Sequence, residues 1–474
     1  MIIDRRPTRT AVARGLSRNR FKTRNPITAM TTTRRQFIEH SGAALLGASA
    51  LVSAAPRVLA AGKTDDLKSR PTLVVVYLRG GADALQVIVP YGDPLYPRIR
   101  PTLAIPGPQA GERGVAPLNN YFGLNPNLKP LYDLFKNGAV APIVSVGSPH
   151  PTRSHFDAQD FMERAAPGIK SVTEGWLNRY LTQTRTKHDS ELRGVSFQPV
   201  LPRSMRGEYP VLAVPGYGLN QTLDIFEKLY GSCDEAKQLH AREQASTGKP
   251  KAGHFTQTAR PAEPAISVQS NYETIVTAGN RAIARLREID RIVFQGSNDA
   301  KYPGSGFGQR LSQVARLIKA DRGLEVTALD YGGWDHHAFE GGAQGKMANM
   351  LHDLSASLRA FVDDLGPRMD RTLVLVMSEF GRTAHENGNN GSDHGHGGFM
   401  LAIGNMVRGL KIHGRWTGLD RNNLYQRRDL PVHTDFRTVF AETLQNLFGY
   451  DPLTHNFFPG YQHRGKELGF LKQV

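Results

Sequence analysis

Four short, predominantly apolar segments constrain the fold of this chain more than any other feature. They cover residues 72–78, 139–146, 324–329 and 372–377, and each is followed by glycine or a polar residue. Continuous apolar runs of this length are typical of strands buried on both faces, as in a parallel sheet. Amphipathic stretches predict helices at 128–137, 307–320, 347–365 and 436–447. The alternation predicts an α/β fold with a mostly parallel sheet and helical crossover connections.

Polar residues follow all four apolar segments. They are Asp83 after the first, Ser154 and His155 after the second, Asp335, His336 and His337 after the third, and Glu379 after the fourth. A glycine-rich loop with Asp393, His394 and His396 precedes a further apolar run at 399–403. In open α/β sheets, ligand sites gather outside the carboxyl ends of the strands. The sequence therefore predicts that these residues converge on one edge of the sheet.

Carboxylates and imidazoles without thiolates form an oxygen and nitrogen donor set. This set suits divalent ions such as Zn, Mn, Fe or Ca and excludes a thiolate structural zinc site. A bound cation also offsets the cost of bringing like charges together. Asp335 with His337, and the loop with His394 and His396, are the most specific signals, and Glu379 at the end of an apolar strand needs a partner.

Other roles remain open for several of these residues. Asp83 could cap a helix, and Ser154 with His155 reads more simply as another helix cap beside a surface histidine. His433 and Asp435, directly before the helix at 436–447, also look like capping residues.

The N-terminal region predicts export. Two adjacent arginines, Arg34 and Arg35, precede an uncharged stretch at 41–55 and small residues at 58–60, which together form a twin-arginine signal peptide at 30–61. The stretch falls short of the roughly 20 apolar residues of a spanning helix, although an uncleaved tether is an alternative. Residues 1–29 look like a non-structural extension before a start at Met30. We expect a periplasmic or extracellular protein whose export partner is the twin-arginine translocase.

The remaining composition limits the functional classes. The first 60 residues carry +9 of the net charge of +16, which leaves +7 for the rest, and no nucleic-acid-binding motif is found. Cys233 is the only cysteine, so no internal disulfide can form. No stretch of the mature chain is apolar enough to span a membrane. We expect a single domain at 70–474 with an irregular insertion or cap around 185–300.

Five ordered motifs resemble a known family. They are LRGGAD at 78–83, SHFDAQ at 154–159, GWDHH at 333–337, SEFGRT at 378–383 and DHGHGG at 393–398. They are similar to the bacterial family called domain of unknown function 1501, over roughly 70 to 470, in which twin-arginine leaders are usual. That family is grouped with the alkaline phosphatase and sulfatase superfamily. The resemblance implies an alkaline phosphatase-like three-layer sandwich with one or two metals at the strand ends.

The resemblance also implies roles for individual residues. Asp83, Asp335, His337, Glu379, and His394 or His396 take the positions of metal ligands, and Ser154 takes that of the nucleophile. His155, His336, Asp393 and Arg153 are expected beside the ligands or the substrate. Three departures are that Phe380, rather than a histidine, follows Glu379, that the spacing from Asp335 to His337 is shorter than usual, and that no thiol stands at position 154.

The expected function is a metal-dependent hydrolase of phosphate or sulfate esters, with a small anionic ester or glycan as substrate. Arg79, Arg153 or Arg382 could bind the anion, because guanidinium groups match oxyanions bidentately. The alternative is a non-catalytic envelope protein that keeps the site to bind a metal, an anion or a glycan. The missing histidine after Glu379 motivates this alternative.

Overall fold

A six-stranded sheet forms the centre of the part of the chain that the structure, a computed structural model, describes. The described residues are 70–187, 189–215, 223–224, 268–295, 300–454, 456–462 and 467–472. All of them belong to the unit Arg57–Val474. The predicted leader at 30–61, the stretch before it and Cys233 lie outside the described residues.

The helices and strands are numbered here in chain order. The helices are α1 (Ala84–Val87), α2 (Tyr96–Ile99), α3 (Lys129–Lys136), α4 (His155–Arg164), α5 (Trp176–Gln183), α6 (Val268–Ile289), α7 (Gly306–Lys319), α8 (Lys346–Leu365) and α9 (Phe436–Phe448). The strands are β1 (Thr72–Arg79), β2 (Ile88–Val89), β3 (Ala116–Pro117), β4 (Gly123–Leu124), β5 (Val140–Gly147), β6 (Val195–Ser196), β7 (Leu212–Ala213), β8 (Val326–Gly332), β9 (Thr372–Met377), β10 (Gly398–Ile403) and β11 (Thr434–Asp435). Short 3₁₀ turns occupy Pro108–Arg113, Pro126–Leu128, Arg203–Met205 and Gly366–Asp370, and a π turn occupies Asp290–Phe294.

The central sheet has the strand order β11-β5-β10-β9-β1-β8. Strand β1 pairs in parallel with both β8 and β9, so that Leu73 lies opposite Val326 on one side and Leu373 on the other. Strand β10 is antiparallel to both of its neighbours, β5 and β9. Five strands therefore run in one direction and one runs against them. The predicted α/β fold with a mostly parallel central sheet is confirmed.

Two hydrophobic cores cover the two faces of this sheet. Alternate residues of β1 divide between them: Val74 and Val76 face one core, and Leu73 and Val75 face the other. Helices α3, α7 and α8 pack on the first face, whereas α4, α5 and α9 pack on the second. Because β1 is buried on both faces, its sequence can be continuously apolar. This arrangement makes three layers, with the sheet between helices.

Strand β8 and helix α6 differ from the sequence prediction. The strand is predicted at 324–329 but runs from Val326 to Gly332, because its pairing with β1 continues to Arg79. Helix α6 lies in the region predicted as an irregular insertion, and it buries Ile283, Leu286 and Ile289 on one side. That spacing is the helical signal that the prediction missed. Among the helices of the described ranges, none is long and apolar enough to cross a membrane.

Gly80 allows the ends of β1 and β8 to meet. It has φ +125, and a Cβ at this position would lie 2.6 Å from the backbone nitrogen of Asp335. The amide of Trp334 donates to the carbonyl of Arg79 at 3.2 Å, which holds the two loops together. Only glycine combines this backbone conformation with so close an approach.

We predict that Gly80→Ala destabilises the protein by about 2 kcal/mol or more, because it adds backbone strain to a steric clash. The matched control is Gly332→Ala, three residues before Asp335, where a Cβ would meet nothing within 4 Å. The control should change stability by less than about 0.5 kcal/mol. Urea unfolding followed by tryptophan fluorescence measures both, and equal effects of the two substitutions would contradict the argument.

Candidate metal centre

The ends of five strands bring the sequence motifs to one edge of the sheet. Strands β1, β5, β8 and β9 run in the same direction and end there, whereas β10 runs against them and begins there. The loop at 391–398 therefore reaches this edge before its strand starts. The predicted convergence of these motifs on one edge is what the topology produces.

Three histidines and one aspartate meet at this edge. Nε2 of His394 lies 2.9 Å from Nε2 of both His155 and His337, and 3.2 Å from Oδ1 of Asp335. Asp335 also lies 3.0 Å from Nε2 of His337 and 3.4 Å from Nε2 of His155. The ligand atoms of His155, Asp335 and His394 all lie within 4.8 Å of one another. Three of these residues thus present donor atoms to a common position, and His337 adjoins them through Asp335 and His394.

The other ring nitrogen of each histidine faces a hydrogen-bond acceptor. Nδ1 of His155 lies 2.8 Å from the Glu379 carboxylate, and Nδ1 of His337 lies 3.1 Å from the Asp393 carboxylate. Nδ1 of His394 lies 2.9 Å from the backbone carbonyl of Arg153. Because these groups accept hydrogen bonds, Nδ1 carries the hydrogen in each neutral ring and Nε2 presents its lone pair.

Three converging lone pairs repel one another unless a proton or a cation lies between them. Histidine ligands of metals characteristically donate the N–H of the other ring nitrogen to a carboxylate or carbonyl, and Nδ1 of all three rings faces such an acceptor here. These residues therefore fit a divalent cation. Three nitrogens and one carboxylate suit Zn, Mn or Fe, whereas Ca²⁺ takes oxygen ligands. Calcium, which was among the expected ions, does not match this donor set.

One side of the cluster is open to solvent. The side chains of Asp335 and His337 are 43% and 46% exposed, whereas those of His155 and His394 are 23% and 25% exposed. Structural metal sites are closed by protein ligands, and catalytic sites keep an open position. The exposure of Asp335 and His337 therefore leaves room for a further ligand from solution.

Arg382 lies beneath the cluster. Its guanidinium is 1% exposed and pairs with Asp335 through Nη2. Burial alone would raise the pKa of Asp335, but the Arg382 hydrogen bond and charge lower this pKa to about 2. The remaining Arg382 donors bind carbonyls, those of Gly81 from Nε and Ser392 from Nη1 among them. The expectation that Arg382 binds a substrate anion is not supported by this placement, because its N–H groups are already bonded.

Glu379 takes a different position from the expected ligand. It is fully buried and accepts hydrogen bonds from the Gly80 amide, from His155 and from Gln159. Burial would raise its pKa, but the hydrogen bonds from His155 and Gln159 hold that pKa below its ordinary value. The resulting carboxylate in turn raises the pKa of His155. Glu379 therefore orients His155, and His155 takes the place in the cluster that was expected for Glu379.

Asp83 lies outside the cluster. It is buried, caps α1 through Leu85 and forms an ion pair with the buried Arg100. Glu340, also buried, has a pKa well above its ordinary value because of burial and the charge of Asp83. The structure does not bring Asp83 to the histidines, and the capping role that the sequence left open is the one observed.

His396 and His336 also point elsewhere. The ring of His396 stacks on Tyr425 with the centroids 4.4 Å apart, and burial lowers its pKa to about 4. His336 is buried, and burial with the charge of Lys346 lowers its pKa to about 4 as well. The resemblance left His394 and His396 open as alternatives, and the structure brings only His394 to the cluster.

The other expected residues surround the cluster. Ser154 is exposed at the N-terminus of α4, directly before His155, and its side chain does not cap the helix. Arg79 is held by Glu163 and Asp330, and Arg153 is held by the buried Asp429. Asp393 orients His337, and its pKa is lowered by hydrogen bonds from Asn387 and His337 against the effect of burial.

Sequence reasoning missed the ligand position of His155 and the contacts of Gln159. Gln159 lies one helical turn after His155 on α4, so both side chains can reach Glu379. This i, i+4 spacing of two polar residues was the available signal. The loop with His394 can lie against the backbone of Arg382 because Gly395 has no side chain. A Cβ at this position would lie 2.4 Å from the carbonyl of Arg382.

The sequence matches one protein family. The model described as "Protein of unknown function (DUF1501)" matches residues 139–456, which is more than half of the chain. The chain belongs to this family. The match includes all four residues of the cluster in this DUF1501 protein. None of the curated proteins matches its sequence.

Two solved structures are similar to this DUF1501 protein at a low level. A candidate sulfatase from Bacteroides thetaiotaomicron VPI-5482 has a TM-score of 0.26 and 10% identity, over 73% of this chain and 67% of that chain. A 2-O GAG sulfatase has a TM-score of 0.26 and 9% identity, over 73% of this chain and 66% of that chain. The aligned part therefore spans about two thirds of the length of each.

We predict that Arg100→Met destabilises this DUF1501 protein by about 3–5 kcal/mol, because it leaves a buried carboxylate without its cation. The loss should be the same with and without a chelator, since Asp83 lies outside the histidine cluster. The matched control is Arg359→Met, whose partner Asp363 is exposed, with an expected cost below about 1 kcal/mol. Urea unfolding measures both, and a chelator-dependent difference at Arg100 would contradict this assignment.

Proposed function

We propose that this protein is a metal-dependent hydrolase of phosphate or sulfate esters. The observation that carries the proposal is the convergence of three Nε2 atoms and one carboxylate at an exposed strand edge, with every Nδ1 bound to an acceptor. His155, His337, His394 and Asp335 would hold the ion. A divalent ion bound there would polarise an ester oxygen as a Lewis acid and stabilise the negative charge that develops.

Ser154 is the proposed nucleophile. It stands next to His155 and is exposed at the N-terminus of α4, a helix of ten residues. The amides and the dipole at a helix N-terminus favour an anion nearby, which supports binding of the ester there. The resemblance of Ser154, directly before a helix, to the nucleophile position of the superfamily supports the same role.

A non-catalytic metal- or anion-binding protein is the second candidate. It is favoured by the state of the arginines: Arg79, Arg153 and Arg382 all pair with protein carboxylates. A hydrolase of anionic esters ordinarily binds the ester group with a guanidinium. The two candidates share the metal and differ in turnover.

We also propose that the protein is exported by the twin-arginine pathway to the periplasm or beyond. The support is the leader pattern at 30–61. In this setting the substrate would be a small anionic ester or glycan outside the cytoplasm, and the translocase would be a transient partner.

We predict that the purified protein contains about one equivalent of a divalent transition metal per chain and that His394→Gln abolishes it. Removal of one ligand from a four-residue set lowers metal affinity strongly. The matched control is His396→Gln, two residues away, which should keep its metal because this ring stacks on Tyr425. Elemental analysis measures the metal content of both variants. Loss of metal from His396→Gln but not from His394→Gln would show that His396, and not His394, is the ligand.

We predict that Ser154→Ala lowers the turnover of aryl phosphate or aryl sulfate esters by about a thousandfold or more and keeps the metal content. Ser171→Ala, at another exposed serine, is the matched control and should retain full turnover. Steady-state assays with several added metals measure both. If the metal-loaded protein turned over no ester, the hydrolase proposal would be contradicted and the metal-binding candidate would remain.

A further inference from the structure

A cavity of about 430 Å³ lies beside the metal cluster rather than over it. Its walls come from α4 and from the segment at 198–206, with Arg79, Arg310 and Asp330 behind them. Cavities of this size hold a small-molecule ligand, a sugar or aryl ring among them. None of the four residues of the metal cluster lines it.

Gln159 connects the cavity to the cluster. It lines the cavity, donates to the Glu379 carboxylate at 2.9 Å and accepts from Arg79 at 3.1 Å. Glu379 in turn holds His155 at 2.8 Å. Phe156, which also lines the cavity, is the next residue after His155 on α4. One wall of the cavity is therefore built by the same helix that supplies a donor to the cluster.

The rim of the cavity is apolar and exposed. Phe156 is 90% exposed and Val200 is 64% exposed, and both line the cavity together with Pro199 and Pro202. Large apolar side chains that are exposed together at one place often mark a binding surface. A phenyl ring and a valine at one cavity are both apolar, as is the face of a ring in a ligand.

The charges of the lining leave an excess of one cation. Four arginines face three carboxylates: Arg79, Arg203, Arg206 and Arg310 against Asp160, Glu163 and Asp330. Arg79 pairs with Glu163 and Asp330, and Arg203 pairs with Asp160. Among the described residues, the exposed side chain of Arg206 makes one hydrogen bond, from Nε to the carbonyl of Leu201 at 2.8 Å. Its terminal N–H groups are available for an anion.

We propose that this cavity binds a ring that carries an anionic substituent, with the ring on Phe156 and Val200 and the anion on Arg206. As a substrate subsite, this inference rests on the proposed function, since the ring would be the part of the ester that does not react. As a binding site, the cavity does not depend on whether the protein turns over an ester. The ring is either that of an acidic sugar or that of an aryl carboxylate, because both offer an apolar face and an anion.

The test is isothermal titration of the full chain with four probes. A uronic acid disaccharide and 2-naphthoate carry the anion, and a neutral disaccharide and 2-naphthamide are their matched neutral forms. At least one anionic probe should bind, and its neutral form should bind about tenfold more weakly or worse. The probe that binds identifies the ring as a sugar or an aryl group.

Substitutions in the cavity make the test specific. Arg206→Gln and Phe156→Ala should each weaken the anionic probe about tenfold or more. Arg359→Gln and Leu410→Ala, at an exposed arginine and an exposed leucine outside the lining, are the matched controls and should leave binding unchanged. Absence of binding for both anionic probes, or binding that neither cavity substitution weakens, overturns the inference.

The two proposals fail separately. Binding that Arg206→Gln weakens, in a protein without ester turnover, supports the cavity and removes the hydrolase. The opposite result is also possible: the protein turns over esters but binds no anionic probe, and neither Arg206→Gln nor Phe156→Ala raises the KM. That result supports the hydrolase function and overturns the proposed binding site in the cavity.

Discussion

The arrangement of the loops at the strand edge depends on the hydrogen bonds of the Arg382 guanidinium. It is buried, and it bonds the loops after β1 and β8 as well as the loop before β10, through Gly81, Asp335 and Ser392. The planar fork of arginine can donate in several fixed directions at once, which lysine cannot do. Because these three loops come from distant parts of the chain, one side chain fixes their mutual position. The histidines on two of them then meet at a set distance.

The outer hydrogen bonds give the cluster its chemistry. A histidine ring binds a cation through one nitrogen only if the other carries the hydrogen, and here two carboxylates and one carbonyl make that choice. The buried Glu379 is costly to ionise, and its hydrogen bonds from His155 and Gln159 offset that cost. The acidic residues at the cluster thus have two roles. Asp335 faces the common position, whereas Glu379 and Asp393 act through the rings.

The sequence predicted the sheet well because buried parallel strands are continuously apolar, as in β1 and β9. It also placed Asp335, His337 and His394 at one edge, since strand direction determines where a strand ends. It placed Glu379 and His155 at the same edge, but the spacing of His155 and Gln159 showed only that both could reach one partner, and not which of Glu379 and His155 faces the cluster. The position of Asp83 depends on Arg100, which lies 17 residues further along the chain. Such pairings are set by packing and carry no local signal.

The cluster is built from contacts between distant parts of the chain, and this has a consequence for its assembly. His394 meets groups that lie 241 and 239 positions earlier, the carbonyl of Arg153 and the ring of His155. Contacts of such long range form late, because the intervening chain must be ordered first. A ribosome-bound chain that has not yet released residue 394 has no complete set of donors. The complete donor set can therefore form only after synthesis has passed this point.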